Sequence, residues 1–391
     1  MNIKKKSFKV QIDRTPEQLD LVKRMGSKNK TESMAAAEAV ATVMTKPILQ
    51  VIEQANVVSN FFTTIGYSAG TPSNIPLDDY FDIRNRNFLN VWTQSQPGGT
   101  AMNFQQGTTE LFVQTYPLYS EITFNKNYLR AGNLDHLANG LTRLVQEVLL
   151  VQQTNGAFVI FNSLAGARID GTSSVATTNL PVARTAVANV FQMDDFNAMM
   201  IGYDRTTASW VGGTPVNEQR AITDLLGSPE WMGQIRSMSY QPQNTRDGSL
   251  TTQGASSLAA PDSVRNQAWQ GGGVANIFDV NLHKVYEMGV GSNREFNDIF
   301  DTAAGATAYP GYGQGFGGGS TSVFAGATEE IILGLNADMF DLTRLRMNEE
   351  GSEFSLTAEE YPVRTEKIGF FGGLREGYVS VEGRAKFGLV M

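Results

Sequence analysis

The chain has 391 residues, more than the roughly 250–300 at which a single core stops growing, so two or more lobes are expected. It contains no cysteine, which excludes disulfides, thiolate nucleophiles and Cys-ligated zinc or iron–sulfur sites. Its net charge of −8 is unevenly placed: residues 1–30 hold nine Lys/Arg against three acids, net +6, and the other 361 residues carry −14.

Met1-Asn2-Ile3-Lys4-Lys5-Lys6 is a basic start with no apolar run behind it, so a secretory signal is not expected. Thr15-Pro16-Glu17-Gln18 predicts a helix start: Thr caps, Pro opens the first turn and Gln18 closes a capping box. That helix ends near Gly26. A second, Ala-rich helix runs from about Glu32 through Met44. Pro47 is expected to interrupt it, with a third segment from Ile48 to about Asn56. Residues 57–65 and 77–92 are rich in β-branched and aromatic residues and read as extended. Gln96-Pro97-Gly98-Gly99-Thr100 is a turn or loop. A long β-like run follows from Leu111 to Phe124, so that Leu77 to Asn125 reads as one two-stranded excursion.

Residues 133–154 give the clearest helix. Leu134, Leu137, Leu141, Leu144, Val148 and Val151 recur at spacings of three and four. Asn155-Gly156 is read as its stop, and Ala157 to Phe161 as a strand. Asp194 and Asp195 precede a helix ending near Tyr203. Thr214-Pro215 and Ser228-Pro229 each open another. Residues 241–260 are a polar, low-complexity loop. Ile277 to Met288 is strand-like, Arg294 to Thr302 helical, and Glu330 to Leu335 a buried strand. Gly305 to Gly319 is a glycine-rich loop interleaved with Tyr309, Tyr312 and Phe316. The end, Ile368 to Phe371 and Tyr378 to Val390, reads as a β-hairpin around Gly372-Gly373. No stretch approaches 18 uninterrupted apolar residues, so no membrane span is expected.

After Lys30 the chain carries 17 Arg but only 5 Lys. Buried protein–protein surface enriches Arg and depletes Lys. A guanidinium is planar and weakly hydrated, whereas an ammonium is a strongly hydrated point charge that resists burial. Charged residues make up 18% of the chain, against roughly 25% in soluble domains. The composition is that of a surface largely covered by something else; genomic codon bias is the plainer alternative. A basic arm on an acidic body suggests an arm that finds a negative partner, either nucleic acid or an acidic patch on a neighbouring copy.

Catalytic chemistry has little to stand on. The two histidines, His136 and His283, have no Cys or serine-elbow context and read as structural. Gly313-Gln-Gly315-Phe-Gly317-Gly318 matches Gly-x-Gly-x-x-Gly, but neither a strand before it nor a helix after it is in place. No Lys or Arg occurs between Arg294 and Arg344, while seven acids do, so a phosphate cradle is excluded there. The contiguous acids Glu329/Glu330, Glu349/Glu350 and Glu359/Glu360 are expected to be solvated. No catalytic, cofactor-binding or metal-binding residues are assigned.

The order of elements carries more: a basic arm, helices, a two-stranded excursion, one long amphipathic helix, a large mixed lobe and terminal strands. With the helix Leu134–Gln153 running into Asn155-Gly-Ala-Phe-Val-Ile-Phe161, and the end Gly369-Phe-Phe-Gly-Gly-Leu-Arg-Glu-Gly-Tyr-Val-Ser-Val-Glu-Gly-Arg-Ala-Lys-Phe-Gly, it resembles the major capsid proteins of tailed bacteriophages. Those proteins have the Hong Kong 97-type shell fold, of class α+β. The resemblance implies an N-terminal arm over 1–76 and an extended loop over 77–125. It implies a peripheral domain from 126–165 and 361–391, with the long helix as spine, and an axial domain over 166–360. It implies a structural, non-enzymatic subunit that self-assembles into hexamers and pentamers of an icosahedral shell around double-stranded DNA. The location would be the virion, after assembly in the bacterial host cytoplasm. Its partners would be itself, portal, scaffolding and decoration proteins, and packaged DNA without sequence specificity; no membrane and no cofactor are implied.

In that frame Arg84 and Arg86, with Asp82 in Asp82-Ile-Arg-Asn-Arg, sit where the extended loop meets a neighbour, and Tyr309, Tyr312 and Phe316 are candidate contacts of the axial loop. Some members of the family cross-link through a lysine on the extended loop. No lysine lies between Lys46 and Lys126, so that chemistry at that place is excluded. The competing readings are an encapsulin-type compartment shell, another virion component such as a tail or sheath protein, and a hydrolase using paired carboxylates.

Overall fold

The computed structural model describes residues 15–55, 57–68, 70–78, 108–166, 182–185, 187, 189–208, 222–240, 276–277, 280–290, 294–306, 328–336, 342–348, 354–360, 366–381 and 386–391. The chain divides into two compact units. The first takes Met1–Ile75, Leu111–Ala157 and Thr343–Val379; the second takes Pro76–Glu110, Phe158–Leu342 and Ser380–Met391.

In the first unit, α1 (Pro16–Met25) starts as its capping box predicts, with Gln18 N–H donating to Thr15 Oγ1 at 3.4 Å. The expected break at Pro47 does not occur, since α2 is one helix from Lys30 to Ala55. Proline leaves the carbonyl four residues earlier without its donor. That residue, Val43, is 61% exposed, so water reaches the turn. The buried series Ala37, Val40, Ala41, Met44, Ile48 and Ile52 continues across the proline and holds both halves on one core.

After a 3-10 turn at Ser59–Phe61 come β1 (Thr63–Ser68), β2 (Asn74–Asp78), β3 (Thr108–Phe112), β4 (Tyr116–Asn125) and the short α3 (Lys126–Arg130). The long helix α4 extends from Leu134 to Gly166. The expected strand at Ala157–Phe161 is therefore wrong: those residues are helical. Gly156 does not stop the helix. It lets the helix pass close to the preceding turn, since a Cβ there would lie 3.2 Å from Val58 and 3.3 Å from Phe62.

The C-terminal contribution to this unit is β10 (Leu342–Asn348), β11 (Ser355–Glu360) and β12 (Lys367–Ser380). Sheet order is β1-β10-β12-β11, with β4 also on β12. β1 runs parallel to β10, from Thr63↔Thr343 to Ser68↔Asn348. β12 is antiparallel to β11 and to β4, whose register runs from Lys367↔Asn125 to Glu376↔Tyr116. The expected hairpin at Gly372-Gly373 is overturned, because β12 runs straight through both glycines. They mark close approach instead of a turn: a Cβ on Gly372 would lie 2.9 Å from Phe354, and one on Gly373 would lie 3.0 Å from Tyr119. The core joins α1, α2 and α4 to the sheet through Val22, Met25, Leu141, Leu144, Phe124 and Phe370.

The second unit holds a six-stranded sheet in the order β5-β13-β9-β6-β8-β7. Its strands are β5 (Val182–Arg184), β6 (Asp224–Gly227), β7 (Asn276–Ile277), β8 (Val280–Lys284), β9 (Ile331–Leu335) and β13 (Lys386–Val390). Every residue of β6, β9 and β13 is buried, so these strands are covered on both faces. That explains why Ile331-Ile-Leu-Gly-Leu335 reads as a continuous apolar run. Helices α5 (Met193–Ala208), α6 (Pro229–Tyr240) and α7 (Glu295–Ala306) belong to the same unit, as does the end of α4 from Phe158. Phe191, Phe196, Met199, Tyr203, Trp231 and Phe387 form its core.

Candidate functional site

Asp82, Arg84, Arg86, Tyr309, Tyr312 and Phe316 all lie outside the described residues. The base of the first segment is described. The chain leaves for it along β2 and returns along β3, and the two strands pair. Below them Ser73 and Val113 form a clamp: Val113 N–H donates to the Ser73 carbonyl at 2.9 Å, and the Ser73 hydroxyl donates to the Val113 carbonyl at 2.7 Å. Ile75, Val113 and Leu345 pack there, with Ile65 and Tyr67 of β1 against them. Gly377 of β12 passes so close that a Cβ would lie 2.6 Å from the Gln114 carbonyl oxygen. This base is thus fixed by backbone bonds, a small apolar cluster and a strand that tolerates no side chain.

A buried polar network stands in the same unit. Arg346 and Glu376 are both 0% exposed, with Arg346 Nε 3.9 Å from Glu376 Oε2. Gln152 of α4 donates to Glu376 Oε2 at 3.0 Å, and the Tyr378 hydroxyl donates to Oε1 at 2.8 Å. Ser59 and Tyr378 share a hydrogen bond of 3.3 Å. Arg344 donates twice to Thr64 Oγ1, at 2.7 and 3.1 Å, tying β10 to β1. Burial pushes the Glu376 carboxyl up, against the bond from Tyr378 and the charges of Arg346 and Arg344. Tyr116 is pushed up to about 12, first by burial and then by the Glu376 charge. Sequence reading missed this network. Its signal was the alternation Leu342-Thr-Arg344-Leu-Arg346, which puts two arginines on one face of a strand.

In the second unit His283 Nε2 lies 2.8 Å from Asp224 Oδ1, and Asp224 also accepts from Thr223 at 2.7 Å and Asn281 at 3.3 Å. Burial works upward on the Asp224 carboxyl, but the bonds from His283, Thr223 and Asn281 outweigh it and hold it below the ordinary range. His283 is thus a partnered strand residue. His136 packs its ring edge-on to Phe124, at 5.8 Å between centroids.

The acids Glu329 and Glu330 are not solvated, contrary to expectation: they are 4% and 1% exposed. Glu329 pairs with Arg184 of β5, and Arg294 Nη1 donates to the Glu329 carbonyl at 2.7 Å. Glu359 is exposed, as expected. Glu349 and Glu350 lie outside the described residues.

Among the described residues no group of three or more His, Asp or Glu is arranged to hold a metal ion. Each of the polar clusters described above lies within one unit. Several large apolar side chains do stand exposed: Phe112 at the end of β3, Tyr119 on β4, Tyr128 on α3 and Leu150 on α4.

The chain is similar to the capsid of Ralstonia phage GP4, at 11% identity over 85% of this chain and 87% of that one, with a TM-score of 0.50. It is also similar to the capsid of cyanophage P-SCSP1u, at 10% identity over 85% and 87% of the two chains, with a TM-score of 0.47. An encapsulin from Synechococcus elongatus matches at 11% identity over 85% of each chain, with a TM-score of 0.42. No protein-family model matches the sequence, and no curated protein sequence does either. The chain has an α+β architecture. Specifically, its fold is the Hong Kong 97-type capsid fold.

Proposed function

We propose that this chain is a structural shell subunit, a major capsid protein that assembles with itself into the hexamers and pentamers of an icosahedral particle enclosing double-stranded DNA. The carrying observation is the fold, matched over 85% of the chain by the Ralstonia phage GP4 capsid. The lysine-poor, arginine-rich composition supports it, because a shell subunit buries surface in many separate contacts. The acidic body supports it too, since packaged DNA must slide along an inner wall that does not bind phosphate strongly.

In this reading residues 1–76 are the N-terminal arm and 77–125 the extended loop that lies over the adjacent subunit. Residues 126–165 and 361–391 form the peripheral domain, and 166–360 the axial domain. The Ser73–Val113 clamp then serves to aim the loop. Arg84 and Arg86 pair with carboxylates across the interface, Asp82 lies beside them, and Tyr309, Tyr312 and Phe316 contact neighbours at the capsomer centre. Portal, scaffolding and decoration proteins complete the virion, which is assembled in the host cytoplasm.

The test is negative-stain microscopy of the overexpressed chain with sedimentation velocity on the same sample. Closed shells or hexamer and pentamer rings support the proposal. Shells that enclose an enzyme in place of DNA move it to a compartment shell, and tubes to a tail or sheath protein. A monomer that stays monomeric beside its scaffolding protein sinks it. Replacing Arg84 and Arg86 together by Ala tests the loop contact; normal particle yield would overturn that part alone.

A further inference from the structure

Glu330, the residue before β9, is 1% exposed. Its main chain is bonded to Met391 in both directions, at 2.8 and 3.1 Å. Its carboxyl meets the start of α6. There the Ser228 hydroxyl accepts from Trp231 N–H at 2.9 Å and spends its own proton on Glu330. Glu330 Oε2 has no hydrogen-bond donor among the described residues. An ionised carboxylate buried with one oxygen unserved is costly, whereas the neutral acid leaves one hydroxyl unpaired but buries no charge.

The surrounding charges do not compensate. Glu230, in the first turn of α6, is a like charge. Glu329, the neighbour in sequence, is matched by Arg184 of β5. The cation nearest in effect, Arg294 ahead of α7, is shared with the Glu329 carbonyl at 2.7 Å and with Asp298 at 3.4 Å. Asn297 of α7 holds the next residue, accepting from Ile331 N–H at 3.2 Å. Strands β9 and β13 and helices α6 and α7 thus meet around one residue, whose main chain is held by Met391 and whose carboxyl faces Ser228.

We infer that Glu330 is a proton-operated latch in the second unit: protonated, it holds the start of β9 against the first turn of α6, and on losing its proton it loosens that junction. Burial is the main cause that pushes its carboxyl up to about 7, with Ser228 opposing, Glu230 adding and Arg294 opposing. A group raised in the folded state contributes stability that is complete below its ordinary value near 4.5 and is lost as pH rises through about 7. The latch is a property of the single chain and does not depend on the shell reading.

The experiment is urea unfolding of the unassembled chain from pH 5 to 8, wild type beside Glu330→Gln, at a concentration where sedimentation shows one species. The folding equilibrium constant of the wild type is expected to fall on the order of a hundredfold more than that of the variant across this range. Parallel pH profiles overturn the latch. Should the variant not fold, carbon-13 carboxyl titration of the glutamate-labelled wild type decides: no glutamate titrating above pH 6 overturns it, and one titrating near 7 that shifts in Glu230→Gln supports it.

Discussion

Gly140 of α4 lies under the ring of Phe124 of β4: a Cβ there would stand 2.4 Å from Cζ and 2.5 Å from Cε1. Phe124 is 2% exposed and packs edge-on against Phe370 at 6.0 Å, so the ring cannot swing out to water. Gly140→Ala gains up to about 1 kcal/mol of helix propensity. It also meets an overpacking cost of about 1–3 kcal/mol. The contact is closer than any real Cβ approach, so the cost is expected to win. Denaturant unfolding should show a net loss of about 1–2 kcal/mol, and a gain in stability would refute this geometry.

Breaking the buried pair in the first unit should be severe. Arg346→Met leaves Glu376 in the interior with only Gln152 and Tyr378 as donors, a loss of about 3–5 kcal/mol. In the double variant with Glu376→Gln the loss should be smaller than the two single losses added together, because the uncompensated charge is gone. A double-mutant cycle by denaturant unfolding measures this, and strict additivity would show that the two residues do not interact.

Asp224 predicts the opposite pH behaviour to Glu330. Its carboxyl is held below the ordinary range, so its contribution is present above about pH 3.9, the ordinary aspartate value. That contribution disappears as pH falls through the lower folded value. Asp224→Ala should cost about 1–2 kcal/mol at pH 7, and the difference from wild type should shrink towards pH 3. A cost that persists unchanged at pH 3 would mean that packing, not charge, is what the aspartate supplies.

Particles of this chain, on the shell reading, should dissociate in hot detergent to a single 42.6 kDa band. The stretch between Lys46 and Lys126 has no lysine to form an amide cross-link there. A covalent ladder on a denaturing gel would contradict this.

Where a signal was local, the sequence was readable. Thr15 and Gln18 placed the start of α1, the leucine series placed α4, and Ser228-Pro229 placed α6. Glycine and proline misled, because each has two physical uses. Gly156, Gly372 and Gly373 permit close approach to Phe62, Phe354 and Tyr119, yet along the sequence they look like a helix stop and a turn. Pro47 was overridden by the apolar face that continues on both sides of it. Glu329 and Glu330 looked solvated because nothing nearby in sequence announces Arg184 or Arg294 as neighbours. The run from Leu111 to Phe124, read as one strand of the excursion, is split: β3 ends at Phe112 and pairs with β2, whereas β4 lies on β12, and the Ser73–Val113 clamp depends on a pairing across 40 residues.

The register of β12 on β4 sets a timetable for the newborn chain. Phe124 emerges from the ribosome about 240 residues before its partner Ile368, a delay of about 10–50 s at ordinary synthesis rates. Until then the apolar faces of α2 and α4 lack the strands β10, β11 and β12, while Phe158–Leu342 of the second unit is made in between. The first half of the chain, expressed alone, is therefore expected to precipitate.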